Sequence, residues 1–174
     1  MRDYKEKLVD SSRIIADMLV EDIGDDPERF SEMVEIALCD EYPVSMRAAR
    51  VVSLVVEKHP HLFGAQLDLV IQKLPGIKID GVRRGFLKIF AENPPELNEE
   101  QIGLLTDLAF TWLDDSRQAM AIRYYSIEIL VRICDWYPEL RNELSAILEE
   151  LAKEGSPGLK YRSITALNSF RKRK

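Results

Sequence analysis

The stretch VSMRAARVVSLVVEKHPHL, from Val44 to Leu62, decides the fold of this chain because the chain repeats it. GVRRGFLKIFAENPPEL (Gly81–Leu97) follows the same plan: a small or apolar opening, an arginine, an apolar run and a Pro-x-Leu ending. AIRYYSIEILVRICDWYPEL (121–140) is a third copy, and GLKYRSITALNSF (158–170) is a fourth that lacks the ending. Such repetition is typical of units that bury their apolar faces only by stacking on one another.

The repeated unit is predicted to be a pair of helices, about 40 residues long. Between the copies, apolar residues recur at intervals of three and four, as in PELRNELSAILEEL (138–151), and no segment alternates as a half-buried strand would. We therefore predict an all-α fold, a right-handed α-α superhelix of about four helix pairs plus an N-terminal helix. The leading helix is expected at residues 3–22. The four pairs, each given as first helix with second helix, are expected at 27–40 with 43–59, 61–74 with 80–93, 98–113 with 116–137, and 139–154 with 157–171.

Helix starts carry recognisable capping signals. Asp26-Pro27 and Ser156-Pro157 each place a capping side chain before a proline at the first helical position. Asn98 with Gln101, and Asp115 with Gln118, are spaced as capping boxes. The acidic doublets at 25–26 and 114–115 are therefore interpreted as helix caps rather than as paired catalytic carboxylates.

The second helices resemble those of the HEAT and HEAT-like repeat families. Pro43-Val44 followed by Arg47-Ala48-Ala49 matches their pattern, as does Gly81-Val82-Arg83, and Ile122-Arg123 matches it in part. The resemblance covers most of residues 27–172 and implies an α-solenoid whose second helices line an inner, concave surface. It also implies a ladder of aspartates between neighbouring repeats, for which Asp80 and Asp115 are the candidates.

Composition predicts one globular domain spanning residues 1–174, with a basic tail at 171–174 that could be disordered. The chain has 174 residues and a net charge of −6, and its N-terminus lacks the apolar region of a signal peptide. We expect a cytoplasmic protein without a membrane span. Cys39 and Cys134 are interpreted as buried hydrophobic residues rather than as a disulfide or zinc ligands.

No recognisable catalytic constellation occurs in the sequence. There is no nucleophile with a neighbouring base and no glycine-rich phosphate loop after a strand. His59 and His61 flank Pro60 without the further ligands that zinc requires. We therefore predict no enzymatic activity, no cofactor and no metal.

Charge separates between the two helices of each pair. Lys and Arg outnumber Asp and Glu in all four second helices, whereas acidic residues equal or exceed basic ones in the first helices. Arg47, Arg83 and Arg123 flank the apolar stripe and are expected to pair locally. Six residues of the second helices are the candidates for contacting a partner: Arg50, Arg84, Lys88, Tyr124, Arg162 and Lys172.

The favoured function is a non-enzymatic protein-interaction module or scaffold that binds a protein or acidic peptide on a concave, partly basic surface. One alternative is nucleic-acid binding, because HEAT-like alkylpurine DNA glycosylases are similar in architecture and hold duplex DNA in a basic concavity. Another alternative is an accessory subunit of an enzyme, as in HEAT-like bilin lyases. The sequence leaves the partner and the oligomeric state open.

Overall fold

The computed structural model describes residues 4–172, of which 82% are helical. No strand occurs within this range, so the all-α prediction is confirmed. The α-helices are α1 (Tyr4–Lys7), α2 (Arg13–Ile23), α3 (Pro27–Leu38), α4 (Val44–Lys58), α5 (Leu67–Lys73), α6 (Asp80–Glu92), α7 (Glu99–Asp114), α8 (Met120–Trp136), α9 (Arg141–Glu154) and α10 (Pro157–Lys172). Three 3₁₀ segments accompany them, at Pro60–Gln66, Leu74–Gly76 and Pro138–Leu140.

Packing divides the chain into two compact units, Met1–Gln101 and Ile102–Lys174. In the first unit α4 packs against α3, α6 and α2. In the second unit α10 packs against both α9 and α8. Within each unit, the second helices of successive repeats therefore lie side by side: α4 beside α6, and α8 beside α10. The single domain over residues 1–174 stays a prediction.

Two predicted helices are interrupted. The leading helix is divided into α1 and α2 by residues 8–12, and Ser12 caps α2 by accepting a hydrogen bond from the backbone N–H of Ile15 (3.3 Å). The first helix of the second pair is α-helical only in α5, between two 3₁₀ segments that each begin at or next to a proline. Proline lacks the N–H that continues an α-helix, which explains these short, tight turns.

Two of the four capping predictions are confirmed. The Asp26 carboxylate accepts hydrogen bonds from the N–H groups of Glu28 and Arg29 (3.0 and 3.1 Å). Asn98 and Gln101 form a reciprocal capping box, with both hydrogen bonds at 2.9 Å. Each capped start fixes the direction in which its helix leaves the preceding loop.

The other two capping predictions are wrong. The buried hydroxyl of Ser156 has no hydrogen-bond partner within residues 4–172. The carboxylate of Asp115 binds the side chains of Arg117 and Gln118 within a turn, and α8 begins only at Met120. Spacing alone suggested caps here, but the turn between α7 and α8 is longer than a capping box allows.

Buried positions show where the last two repeats correspond. Ser126, Ile129 and Ile133 of α8 are buried, and Ser163, Ala166 and Phe170 of α10 are buried in the same order and at the same spacing. This correspondence matches Tyr124 with Tyr161 and Arg123 with Lys160. Arg162 therefore corresponds to Tyr125 rather than to Arg123, because the buried stripe is a stronger register marker than a single arginine.

The two cysteines differ in environment. Cys134 is fully buried, as predicted, and burial raises the pKa of its thiol to about 11. Cys39 is exposed, so its prediction as a buried residue is wrong. It is the C-cap of α3, directly after the last helical residue, and therefore falls outside the stripe that faces the core.

Candidate functional site

Arginines of the repeats, which the sequence predicted to pair locally, bind backbone carbonyls. The Nε atoms of Arg83 and Arg123 donate to the carbonyls of Ile77 (2.6 Å) and Leu113 (2.9 Å), at or just beyond the end of the preceding helical segment. A carbonyl at a helix end has no intrahelical partner, so a guanidinium that reaches it supplies the missing donor. These arginines are thus engaged in structural contacts.

Arg47 makes a different but related contact. Its Nη1 atom donates to the carbonyls of Leu8 (2.7 Å) and Val9 (2.8 Å) in the segment between α1 and α2. Arg50, one turn further along α4, donates to the carbonyl of Ser11 (2.6 Å). The candidate residue Arg50 is therefore exposed but already occupied in holding the N-terminal segment.

The aspartate that links repeats is Asp40, which the sequence analysis missed. Its carboxylate accepts hydrogen bonds from the backbone N–H groups of Lys78 and Ile79, just before α6. The predicted ladder candidates make no such link within the part of the chain that the structure describes: Asp80 faces Arg83 of its own helix at 3.8 Å, and Asp115 binds Arg117 and Gln118 of its own turn. The sequence signal for this link is an aspartate three residues before Pro43, where the first repeated copy starts.

Among the candidates of α6, Arg84 and Lys88 have different surroundings. Arg84 is exposed, and its guanidinium makes no ion pair or hydrogen bond with residues 4–172. Lys88 is half-buried and forms ion pairs with Glu57 of α4 (2.9 Å) and Glu92 of α6 (3.5 Å). The hydrogen bond to Glu57 is the main reason that the pKa of Lys88 is raised above its usual value. Lys88 thus joins α4 to α6 and does not offer an unpaired charge.

The second unit holds the other three candidates. Tyr124 is 37% exposed, and its ring meets that of Tyr125 edge-on at 5.5 Å. Arg162 of α10 forms a two-pronged ion pair with Glu128 of α8, through its Nε and its Nη2 atoms, the latter at 3.0 Å. Lys172 is exposed at the end of α10. Residues 171 and 172 of the predicted basic tail are helical, and residues 173 and 174 lie outside the described residues.

Three exposed apolar side chains of α8 and α10 were not among the candidate residues predicted from the sequence. Met120 of α8 is 56% exposed, and Tyr161 and Ile164 of α10 are 75% and 49% exposed. The helical pattern of α10 does indicate that Tyr161 and Ile164 are exposed, because both lie off the buried stripe formed by Leu159, Ser163, Ala166 and Phe170. Together with Tyr124 they form a surface that we call the α8–α10 patch: Met120, Tyr124, Tyr161 and Ile164.

No group of metal-binding character occurs within residues 4–172. The two histidines do converge on one carboxylate: His61 Nε2 lies 2.6 Å and His59 Nδ1 lies 3.6 Å from Asp25 Oδ1. All three side chains are partly or largely exposed. The histidines lie at the corner between α4 and the following 3₁₀ segment, and Asp25 lies in the loop between α2 and α3. This contact joins two loops at the surface of the first unit.

The stacked helix pairs, the arginine contacts to helix ends and the aspartate link between repeats define an α-helical repeat protein. Residues 5–168 match the family described as a HEAT repeat domain, and the chain belongs to that family. Members of the family are helical repeat scaffolds that commonly mediate protein interactions and are generally not enzymes. No curated protein and no solved structure matches the chain significantly. None of the described helices is long and apolar enough to cross a membrane.

Proposed function

We propose that this chain is a non-enzymatic protein-interaction module that binds a protein or acidic peptide through the second helices of its repeats. The observation that carries the proposal is the distribution of exposed large apolar side chains. Within residues 4–172, exposed large apolar side chains concentrate on the second helices α8 and α10: Met120, Tyr124, Trp136, Tyr161 and Ile164. Leu104 is exposed on a first helix, and Val9, Ile14, Met18 and Tyr42 are exposed in α2 or in loops. Exposed aromatic and apolar groups that cluster on neighbouring helices are typical of interaction surfaces.

The six candidate residues form two groups, according to whether their side chains are bound to other groups of the chain. We propose that Arg84, Tyr124 and Lys172 contact the partner, because all three residues are exposed. Arg50, Lys88 and Arg162 are each bound to other groups of the chain, so we propose that they hold the surface in position instead. Unpaired cations such as Arg84 favour an acidic partner and act mainly by accelerating association. A cytoplasmic location stays a prediction.

Site-specific photo-crosslinking in the native cell would test this proposal. A photoreactive residue at position 84 or 124 reports on second helices, and one at position 73 or 104 reports on exposed sites of first helices as a matched control. We expect positions 84 and 124 to capture defined proteins that positions 73 and 104 do not capture. Adducts confined to positions 73 and 104, or adducts with nucleic acid rather than protein, would contradict the proposal.

A charge reversal complements the crosslinking. Once a captured partner is purified, we expect Arg84→Glu to slow association about tenfold at low salt, because electrostatic steering acts on the on-rate. Lys73→Glu changes the net charge equally on the first helix α5 and is the control. Lys88 is unsuitable for this purpose because its reversal would also break the ion pair with Glu57. Equal association rates for the two variants would remove Arg84 from the binding surface.

A further inference from the structure

We propose that the α8–α10 patch is a docking surface for an acidic segment of another protein that carries large apolar side chains. This inference rests on the proposed function and narrows it to one surface of the second unit and one class of partner. Four large apolar or aromatic side chains, between 37% and 75% exposed, lie on two second helices that pack against each other.

The repeat geometry brings the four side chains of the patch together. Tyr124 and Tyr161 occupy equivalent positions of neighbouring second helices, since the buried residues that follow them correspond one by one. Near the start of both helices, the sulfur of Met120 lies beside Gly158, at 3.8 Å from the point where a Cβ atom would stand. Met120 therefore lies close to the first turn of α10, which connects the α8 part of the patch with the α10 part.

A half-buried ion pair holds the two helices in register next to the patch. Arg162 directly follows Tyr161 and binds Glu128, which lies one turn after Tyr124, with only 15% and 27% of the two side chains exposed. A two-pronged arginine–carboxylate pair fixes both distance and orientation. The patch is therefore organised before a partner arrives, which lowers the entropic cost of binding.

Charge specifies the partner. The sequence of α10, PGLKYRSITALNSFRK, contains four basic residues and no acidic residue. Arg162 is neutralised by Glu128, which leaves Lys160, Arg171 and Lys172 on the helix that carries Tyr161 and Ile164. An apolar surface on a basic helix is complementary to apolar anchors flanked by Asp or Glu.

The same charges argue against a second copy of this chain as the occupant. A symmetric dimer places the same patch on both sides of the interface, so each α10 would meet another α10. Basic residues would then face basic residues, which is unfavourable. We therefore assign the patch to an acidic segment of a different protein.

A selection from a random 16-residue peptide display library on the full chain tests the assignment. The matched baits are wild type, Tyr161→Ser, the double variant Tyr124→Ser/Tyr161→Ser, and Leu104→Ser, which removes an exposed apolar residue from the first helix α7. We expect wild type and Leu104→Ser to enrich peptides rich in Asp or Glu and in large apolar residues. A synthetic peptide from that pool should bind at least tenfold more weakly to the double variant and to Tyr161→Ser, and more weakly at high salt.

The outcomes that overturn the inference are distinct. Enriched peptides that are basic, peptides that bind all four baits equally, or no enrichment at all would each refute docking of an acidic segment on the patch. If selected peptides bind all four baits equally but lose affinity with Arg84→Glu, the inference fails while the proposed function survives. A dimer of wild type that Tyr161→Ser dissolves, seen by sedimentation, would show that the occupant is a second copy. Tyr161 is largely exposed, so its single substitution leaves the fold intact for these comparisons.

Discussion

The carboxylate of Asp40 accepts hydrogen bonds from the backbone N–H of Lys78, at 3.0 and 3.1 Å to its two oxygens, and one of these oxygens also accepts from the N–H of Ile79 at 3.1 Å. The turn after α3 is thereby bound to the start of α6, one repeat further along. Asp40 adopts a positive φ of 56°, a conformation that aspartate tolerates better than most residues. One side chain thus satisfies two donors and accommodates an unusual backbone.

Asp40→Gly and Asp40→Ala separate these two contributions. Glycine accepts the positive φ but removes the carboxylate, so we expect a loss of about 1–3 kcal/mol in the free energy of unfolding from the unsatisfied N–H groups. Alanine loses the same hydrogen bonds and adds the cost of the left-handed backbone, about 1 kcal/mol more. Urea denaturation of both variants measures the difference. Equal stability of Asp40→Gly and wild type would show that the link between repeats contributes nothing.

The ion pair between Glu128 and Arg162 is expected to stabilise the second unit. Glu128→Gln keeps the size of the side chain but removes the charge that faces the half-buried guanidinium, so we expect a loss of about 1–3 kcal/mol. Glu150→Gln, at an exposed position of α9, is the matched control and should change the free energy of unfolding by less than about 0.5 kcal/mol. Similar melting temperatures for the two variants would show that solvent screens the pair.

Adjacent arginines of α6 are expected to differ in their effect on stability. Arg83→Gln removes the hydrogen bond to the carbonyl of Ile77 and the packing of the stem, so we expect a loss of about 1–2 kcal/mol. Arg84→Gln changes an exposed side chain and should cost less than about 0.5 kcal/mol. Chemical denaturation of the two single variants checks this contrast. The reverse order would mean that Arg84, rather than Arg83, supports the fold.

The two thiols are expected to react at very different rates. A thiol reagent at pH 8 should modify the exposed Cys39 quickly in the native protein, since the thiolate is the reacting species and is accessible there. Cys134 should react only after denaturation, because it is buried and the pKa of its thiol is raised to about 11. Thiol titration with Cys39→Ser and Cys134→Ser assigns each phase. Rapid native labelling of Cys39→Ser would contradict the burial of Cys134.

Asp115 is expected to make stability depend on pH. Hydrogen bonds from the side chain and backbone of Arg117 hold the pKa of the Asp115 carboxyl well below its usual value of 3.8. A lowered folded-state pKa means that the unfolded chain binds the proton first, so this stabilisation is complete above pH 3.8 and is lost as the pH falls further. Thermal melts should therefore show Asp115→Asn less stable than wild type at pH 7 and progressively closer to it below pH 3.8.

The neighbouring aspartate provides the control for this measurement. Asp114 is exposed at the last position of α7. Asp114→Asn removes one negative charge, just as Asp115→Asn does. Asp114→Asn, measured in parallel, separates the loss of one negative charge from the loss of the hydrogen bonds that Arg117 donates to Asp115. A difference for Asp115→Asn that is constant between pH 7 and pH 3 would contradict the role of its ionised carboxylate.

The sequence predicted the helical architecture because helices are specified locally. The apolar recurrence around Arg47 and Arg83 is set by residues three and four apart, and α4 and α6 begin and end within one residue of the predicted bounds. Predictions were weaker where turns compete with helices. The segment from Pro60 to Gly76 became mostly 3₁₀, and residues 8–12 interrupted the leading helix, because proline positions and contacts with Arg47 and Arg50 outweigh a weak apolar period.

The candidate site depended on pairings that the sequence does not encode. Lys88 and Arg162 were both predicted to contact a partner, yet each is paired within the chain, with Glu57 and Glu128, which lie more than 30 residues earlier. Which carboxylate meets which cation is fixed only when neighbouring helices pack at a particular register and distance. The sequence by itself determined that this chain is a stack of helix pairs, since apolar period is a local property. Only the tertiary structure decided which charges are neutralised and that Tyr124 and Tyr161 occupy equivalent positions on adjacent helices, because both depend on the alignment of one repeat on the next.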